Sequence, residues 1–216
     1  MAERMTIEPG ETDILIVVDV QNDFLPGGAL AVPDGDAVIE PINRLAKRFR
    51  HVVLTQDWHP EGHASFASSH PAKQPFETTD LHYGPQVLWP DHCVQGTSGA
   101  EISRDIDIPH AQLVIRKGYN AGIDSYSGFK EADRQTSTGL AGYLKERGFR
   151  RVFCAGLALD FCVAWTALDA AEAGFETYLI EDASRAIDTN GSLGKARQEL
   201  EAAGVHTINS DQIAGA

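Results

Sequence analysis

The chain has 216 residues, of which 43% are hydrophobic and 23% charged, which suits one globular domain with a sizeable core. Its formal net charge of −13 argues against binding to nucleic acid or to anionic membranes, because both require a basic face. Three cysteines are too few for a disulfide framework and indicate a reducing cytoplasm. The polar N-terminus lacks an apolar signal core, and the apolar run at 14–18 is too short to span a bilayer.

Strand and helix patterns alternate along the chain. Apolar runs predict five buried parallel strands, at 14–18, 51–54, 113–117, 152–155 and 177–180. A last edge strand is predicted at 205–208. Helical spacing predicts four helices, at 36–49 with Asp36 as the N-cap, at 138–147, from about 160 onward, and at 192–203. We therefore predict an α/β fold, a three-layer sandwich in which helices flank a mainly parallel sheet of about six strands. Residues 1–216 are expected to form a single domain.

The segment 58–109 has no convincing long helix or strand. It contains many of the histidines and prolines of the chain, together with several aromatic residues. Irregular segments of this length in a globular domain are usually functional or poorly ordered, and the aromatic content favours an ordered one. We expect this excursion to bind metal and substrate.

Reactive side chains follow four of the predicted strands. Asp19 ends the first strand, Asp57 the second and Lys117 the third, and the turn before Cys162 follows the fourth. Because ligands bind at the carboxyl ends of parallel strands, these groups are expected to meet at one edge of the sheet.

Asp19, Lys117 and Cys162 together could perform nucleophilic catalysis. A carboxylate can accept a thiol proton, a lysine can stabilise both anions, and the turn at 156–160 can direct N–H groups at an oxyanion. The start of a helix is expected to lower the pKa of Cys162. Taken singly, each residue has a simpler explanation: an inert core cysteine, a turn aspartate and a solvated lysine.

A second set of residues has the composition of a metal site. Asp57-x-His59 is followed by His63 and, in the excursion, by His92. One carboxylate with two or three imidazoles suits Zn²⁺, Fe²⁺ or Mn²⁺. The alternative is that these are ordinary polar loop residues. Asp91 and Cys93 flank His92 and rank below it as ligands, and Cys93 is expected to serve packing.

The same residues lie within motifs that resemble a known family. The chain is similar to the nicotinamidases (pyrazinamidases) of the isochorismatase-like cysteine hydrolases over about residues 14–188. The motifs, in order, are VVDVQNDFLPGGALAV, LTQDWHPEGHASF, LWPDHCVQGTSGA, IRKGYN and AGLALDFCVAWTALDA. Five ordered motifs are far more specific than any one of them.

The resemblance implies roles for individual residues. It implies a catalytic triad of Asp19, Lys117 and Cys162, and an oxyanion hole formed by the amides of Ala158 and Cys162 beside a cis peptide at Leu157–Ala158. It implies the metal ligands Asp57, His59 and His92, while the metal contact at the position of His63 varies in the family between direct and water-mediated. The implied pocket walls are Phe24, Leu30, Trp89, Tyr126 and Phe161.

The function that the resemblance implies is hydrolysis of nicotinamide to nicotinate and ammonia through a thioester, in NAD salvage. Pyrazinamide is an expected second substrate, and one divalent metal ion, zinc before iron or manganese, is the expected cofactor. Two departures from the family pattern, Leu159 in place of threonine and Phe161 in place of tyrosine or histidine, could tune substrate preference.

Other functions remain open at this point. A related amidohydrolase acting on a ureido or carbamoyl compound would keep the cysteine triad but lack this metal set, and isochorismatase chemistry would not use the cysteine. A zinc hydrolase using metal-bound hydroxide, or a non-catalytic pyridine-binding module, is a further alternative. The sequence also leaves a homo-oligomer open.

Overall fold

The first strand lies in the middle of the main sheet, as its uninterrupted apolar sequence requires. The computed structural model describes residues 6–215. Its main sheet has six strands, namely β1 (Asp13–Val18), β2 (Val52–Asp57), β5 (Leu113–Lys117), β6 (Arg151–Leu157), β7 (Glu176–Arg185) and β8 (His206–Ile208). They lie in the order β5-β2-β1-β6-β7-β8, and every neighbouring pair is parallel.

Helices cover both faces of this sheet. Along β1, Leu15 and Val17 face the core shared with α1 (Ile39–Ala46) and the excursion, while the alternating residues Ile14 and Ile16 face the opposite core. That second core is shared with three helices, α2 (Leu140–Glu146), α3 (Ala164–Glu172) and α4 (Ser192–Ala202). Burial of both faces explains why the strands are continuously apolar, and it confirms the predicted three-layer α/β architecture with a parallel sheet.

Two predicted element boundaries are wrong. Asp36 does not cap a helix, because it lies inside a short 3₁₀ turn (Gly35–Val38) and α1 begins only at Ile39. Pro41 then occupies the first turn of α1, where its missing N–H costs no hydrogen bond. The helix expected from about residue 160 is preceded by a π-helical turn (Leu159–Val163), and α3 starts after it.

The excursion at 58–109 contains a small hairpin that the sequence analysis missed. The hairpin pairs β3 (Thr78–Leu81) with β4 (Gly84–Val87) in antiparallel register, and both strands have only four residues. Apart from a short 3₁₀ turn (Ala67–Ser69), the rest of the excursion is largely irregular but packs against the core, since Trp89 and Cys93 are buried on the α1 side. None of the helices within residues 6–215 is long and apolar enough to cross a membrane.

The sheet order explains why the predicted reactive groups meet. Strands β5, β2, β1 and β6 are consecutive in space, although they are not consecutive in sequence. Asp57 and Lys117 lie opposite each other in register, and Val18, the last residue of β1, lies opposite Gly156. The four strand ends therefore place their polar residues side by side at one edge of the sheet.

Candidate active site

Lys117 lies at the centre of the site. Its Nζ is 2.8 Å from Asp19 Oδ2, 2.9 Å from Asp57 Oδ1 and 3.5 Å from Cys162 Sγ, and it donates to the Ser125 carbonyl at 2.9 Å. The side chain is completely buried. Burial by itself would lower the pKa of Lys117, but the Asp19 and Asp57 carboxylates outweigh it and hold the pKa well above 10.5. Lys117 is therefore a fixed positive charge between two anions and the thiol.

Asp19 is held in place by a residue that the sequence analysis missed. Thr55 donates its hydroxyl to Asp19 Oδ1 at 2.5 Å and accepts the Asp19 backbone N–H at 3.2 Å. Burial raises the pKa of Asp19, and the nearby Lys117 ammonium opposes this rise without cancelling it. A carboxylate with a raised pKa is a better proton acceptor, which suits a general base. Thr55 lies two residues before Asp57 on β2, the strand next to β1, and this position could have suggested it as a support for Asp19.

Cys162 lies beside Lys117 and lines the adjacent cavity, but its pKa differs from the sequence expectation. Burial raises the pKa of the thiol well above 9.0; Lys117 opposes the rise and Asp19 adds to it. The expectation of a lowered pKa is therefore wrong, because desolvation of the buried sulfur outweighs the helix-start effect. In this arrangement the thiol keeps its proton until a neighbouring base removes it.

The turn before Cys162 contains the cis peptide that the family resemblance implied. The Leu157–Ala158 peptide is cis, and Ala158 and Cys162 both line the cavity. Gly156 has a φ of 132°, and a Cβ at this position would lie 2.1 Å from the Val18 carbonyl oxygen. Only glycine can therefore occupy this position, which brings the turn against β1. Since the first N–H groups of a helical segment lack intrahelical acceptors, this turn is suited to bind an oxyanion.

Asp57, His59 and His92 converge on one point. Their ligand atoms lie within 4.8 Å of one another, and all three residues are buried. His59 Nδ1 donates to the Gly118 carbonyl and His92 Nδ1 donates to the Pro90 carbonyl, so both Nε2 atoms carry lone pairs. These Nε2 atoms lie 3.0 and 3.4 Å from Asp57 Oδ2.

Three electron-rich atoms facing each other in a buried site favour a positive charge between them. A carboxylate oxygen and two imidazole nitrogens are suitable ligands for zinc and related divalent metals, and the carbonyls that orient the two rings are the usual support. The electrostatics around His59 also favour a positive charge here. Burial would lower the pKa of His59, but the Asp57 carboxylate outweighs it and raises this pKa. The residues present therefore fit a divalent metal ion.

The backbone around this cluster is also fixed by specific contacts. Gln21 accepts the Asp57 N–H at 2.7 Å and donates to the Asp57 carbonyl at 2.8 Å and the Ala100 carbonyl at 2.9 Å. Gly118 has a φ of 68°, and a Cβ there would lie 2.5 Å from His59 Cε1. The Gln21 contact was not predicted, because it joins residues 36 positions apart in the sequence.

His63 lies beside the cluster but not in it. Its Nδ1 accepts the Ser65 N–H at 3.2 Å, and its Nε2 is directed at the carbonyls of Asn120 at 2.9 Å and Ile123 at 3.2 Å. The His63 ring is 4.3 Å from the His59 ring between centroids. His63, His59 and Asp124 form a second group of potential ligands, which shares His59 with the first.

Asp91 and Cys93, the lower-ranked candidates, do not join the cluster. Asp91 accepts the Ser68 hydroxyl at 2.6 Å near the surface. Cys93 is buried in the core, and its backbone N–H donates to Asp23.

The structure brings all the predicted pocket walls around one cavity. Trp89, Phe161 and Tyr126 form a cluster in which the Trp89 and Phe161 ring centroids are 4.9 Å apart and the Tyr126 and Phe161 centroids 5.6 Å apart. The predicted walls around the cavity are Phe24, Leu30, Trp89, Tyr126 and Phe161, and three residues that were not predicted, Asp124, Ser125 and Ile187, also line it. The cavity is thus lined largely by apolar and aromatic side chains, and its polar lining includes Cys162 and the potential metal ligands Asp57 and His92.

Comparison with known proteins agrees with this geometry. The Isochorismatase domain model matches residues 13–212. The chain is 62% identical to the nicotinamidase of Acinetobacter baylyi, over 92% of this chain and 93% of that protein. The solved Acinetobacter baumannii nicotinamidase/pyrazinamidase is 60% identical and superposes with a TM-score of 0.93, covering 94% of this chain and 98% of that one.

Two further solved structures carry ligands. L. infantum PnC1 in complex with nicotinate is 41% identical, with a TM-score of 0.84 and coverage of 97% of this chain and 99% of that one. Pyrococcus horikoshii pyrazinamidase in complex with zinc is 38% identical, with a TM-score of 0.75 and coverage of 92% and 99%. The matched domain and these similarities, which extend over nearly the whole length of each protein, place the chain in the isochorismatase-domain family.

Proposed function

We propose that this chain is a cysteine amidohydrolase that converts nicotinamide to nicotinate and ammonia, and that acts on pyrazinamide as well. The observation that carries the proposal is the buried contact of Lys117 with Asp19, Asp57 and Cys162, which joins the proposed base, the proposed nucleophile and a proposed metal ligand at one site. The nicotinamidases to which the chain is similar support the same reaction, which belongs to NAD salvage.

The first half of the reaction forms a thioester. Asp19 accepts the Cys162 proton, and the sulfur attacks the carboxamide carbon of the substrate, giving a tetrahedral oxyanion. The N–H groups of Ala158 and Cys162 donate to this oxyanion. Asp19 returns the proton to the amide nitrogen, the C–N bond breaks and ammonia leaves. Lys117 compensates the negative charge that moves between Asp19 and the sulfur.

The second half regenerates the cysteine. Asp19 removes a proton from a water molecule, whose oxygen attacks the thioester carbon. The same two N–H groups stabilise the second oxyanion. The C–S bond then breaks, the sulfur takes the proton back from Asp19, and the product leaves as nicotinic acid, which loses its carboxyl proton to solvent to give nicotinate.

Asp57, His59 and His92 would hold one divalent metal ion, and we propose zinc ahead of iron or manganese. When bound, the ion supplies a Lewis-acidic coordination point for the pyridine ring nitrogen. The aromatic walls contributed by Phe24 and Trp89 would hold the ring between them. Pyrazinamide differs from nicotinamide only by a second ring nitrogen, so the same walls accommodate it.

Ammonia release from nicotinamide by wild type and by Cys162→Ala tests the proposal. We expect the variant to lose several orders of magnitude in kcat, because the nucleophile and its base act as a unit. Cys154→Ala is the matched control, since Cys154 is buried in β6 and does not line the cavity. It should keep near-normal turnover. Metal content is measured on the same samples.

Each rival function gives a different result. A zinc hydrolase using metal-bound hydroxide would survive Cys162→Ala, and a carbamoyl amidohydrolase would release ammonia from a ureido compound but not from nicotinamide. A non-catalytic binding module would release no ammonia from either compound.

We also propose that residues 1–216 act as one domain in the cytoplasm. Size-exclusion chromatography with light scattering would reveal a homo-oligomer.

A further inference from the structure

An open groove of about 600 Å³ lies directly outside the catalytic cavity. One wall is the β3–β4 hairpin with Pro85 and Val87, and the floor is formed by α3 with Trp165. The opposite wall consists of the loop at 189–191 and the first turns of α4, where Lys195 lies. The groove therefore has an aromatic floor, and polar groups line it on both the hairpin side and the α4 side.

The groove and the catalytic cavity share two walls, Tyr126 and Phe161. The cavity itself has about 20 Å³ of free volume, roughly the space that one water molecule needs. A pyridine amide can enter only if a wall side chain moves. Phe161 is half-buried and separates the two spaces, so its displacement would join the cavity to the groove.

Both sides of the groove are anchored to the active site. On the α4 side, Asp160 accepts the N–H groups of Ile187 and Asp188, at 3.0 and 2.8 Å, and the Ser192 hydroxyl at 2.5 Å. Asp160 lies in the same π-helical turn as Cys162. The position of this wall is thus tied to that of the nucleophile.

On the hairpin side, the buried Gln86 makes the connection. Its side-chain amide donates to Asp124 Oδ2 at 2.6 Å, and its Oε1 accepts the Tyr83 hydroxyl at 2.8 Å. Asp124 lines the catalytic cavity. The hairpin is therefore held against the site by buried hydrogen bonds, and the groove is a preformed feature.

The Tyr126 hydroxyl lies at the boundary between the two spaces and has a proton to donate. Its oxygen is 3.0 Å from Trp89 Nε1 and 2.8 Å from Gln86 Nε2, and both nitrogens can only donate. No protein atom in the described part of the chain, 6–215, accepts the hydroxyl proton in a hydrogen bond. Burial, aided by Asp124, raises the pKa of Tyr126 well above 10.0, so the proton is retained.

We propose that this groove is a second subsite, which takes the substituent of ring-substituted heteroaromatic amides, and that the Tyr126 hydroxyl donates to an acceptor atom on that substituent. This inference rests on the proposed amidohydrolase function. An aromatic floor suits a flat or alkyl-bearing group, and the free donor at the boundary selects groups that place an oxygen or nitrogen next to the ring.

The test uses matched pairs of substrates. Nicotinamides with one methoxy group at each free ring carbon are compared with the ethyl isosteres, which have the same shape but no acceptor. We expect wild type to hydrolyse at least one methoxy isomer, with kcat/KM about three- to tenfold above that of its ethyl isostere, the effect of one net hydrogen bond. Tyr126→Phe should reduce this ratio to about one.

Tyr83→Phe is the control, because the Tyr83 proton is already accepted by Gln86, and it should keep the methoxy preference. Trp165→Ala removes part of the groove floor and should lower turnover of both substituted amides relative to nicotinamide. A preference that survives Tyr126→Phe overturns the inference, as does hydrolysis of nicotinamide with none of the substituted amides. Failure to hydrolyse nicotinamide itself refutes the proposed function, and the inference with it.

Discussion

The Lys117 ammonium lies 2.9 Å from Asp57 Oδ1, so that a residue of the proposed triad makes an ion pair with a carboxylate of the proposed metal cluster. Both side chains are buried, and the other Asp57 oxygen faces His59 and His92. Burial would raise the pKa of Asp57, but His59 and Lys117 hold it well below 3.8. The proposed nucleophile machinery and metal site are therefore electrostatically one unit.

Lys117→Met should therefore damage stability as well as activity. The variant leaves Asp19 and Asp57 buried without their counter-charge, and removing one partner of a buried ion pair typically costs about 3–5 kcal/mol. We expect the free energy of unfolding in urea to fall by about this amount and turnover to vanish. Lys145→Met, at an exposed lysine of α2, should change the free energy of unfolding by less than about 0.5 kcal/mol. Equal stability of the two variants would contradict the shared network.

Thr55→Val tests whether Thr55 positions the proposed base. The variant keeps the shape of the side chain but removes the hydrogen bond to Asp19, and hydrogen bonds to charged groups contribute about 1.5–3 kcal/mol. We expect kcat to fall roughly 10- to 100-fold while KM changes little, because Thr55 does not line the cavity. The hydroxyl also lowers the pKa of Asp19, so the acid limb of the pH–rate profile should move to higher pH.

Thr177→Val is the matched control for this measurement. Thr177 is a buried threonine of β7 whose hydroxyl donates to the Phe175 carbonyl at 3.0 Å, away from the cavity. It should leave both kcat and the pH–rate profile unchanged. If Thr55→Val also leaves them unchanged, Asp19 does not need this support.

His92→Ala should reduce metal binding without unfolding the protein. The variant removes one of three converging ligands, so we expect bound metal, measured by mass spectrometry after dialysis, to fall at least about tenfold, with turnover falling in parallel. The circular dichroism spectrum should stay native, because His92 lies in the excursion and outside the main sheet. Chelation of wild type should lower Tm, since a ligand of the folded state stabilises it.

The exposed His206 provides the control for metal binding, and His206→Ala should retain the full metal content. Native-like metal content in His92→Ala, or complete unfolding of the wild type by a chelator, would count against a metal site of this kind.

Glu131→Gln should stabilise the protein at neutral pH. Glu131 is buried, and among residues 6–215 neither of its carboxyl oxygens has a well-formed hydrogen bond. Burial raises the pKa of Glu131 above 4.5, although the Ser125 hydroxyl and Lys117 oppose the rise. The folded state therefore binds this proton more tightly than the unfolded state, and ionisation at higher pH costs stability.

The direction of the pH dependence of stability follows from this difference in proton affinity between the folded and unfolded states. The stability contribution of protonated Glu131 is complete below pH 4.5 and is lost as the pH rises through the raised pKa of the folded state. Urea unfolding should show Glu131→Gln to be more stable than wild type at about pH 8, and the difference should disappear near about pH 4. A difference that does not change with pH would mean that Glu131 does not titrate as described. Glu146→Gln, on an exposed glutamate of α2, should show no such pH dependence.

The sequence by itself determined the fold class and which strand-end residues meet at one edge of the sheet. Short uninterrupted apolar runs rich in β-branched residues are typical of central parallel strands, and parallel strands place the residues that follow them at one edge. This is why Asp19, Asp57, Lys117 and the turn before Cys162 could be chosen from the order of residues along the chain. Family motifs added the pocket walls, which the structure places around one cavity. Their catalytic and binding roles remain predictions that the experiments above address.

Only the tertiary structure decided which groups touch and what their surroundings do to them. The ion pair of Lys117 with Asp57, the Thr55 support of Asp19 and the groove beside Tyr126 all join residues far apart in sequence, which no local pattern specifies. The pKa of Cys162 is the clearest case. A helix start predicts a lowered value, but the burial of the thiol among packed neighbours raises it, because desolvation depends on the whole fold.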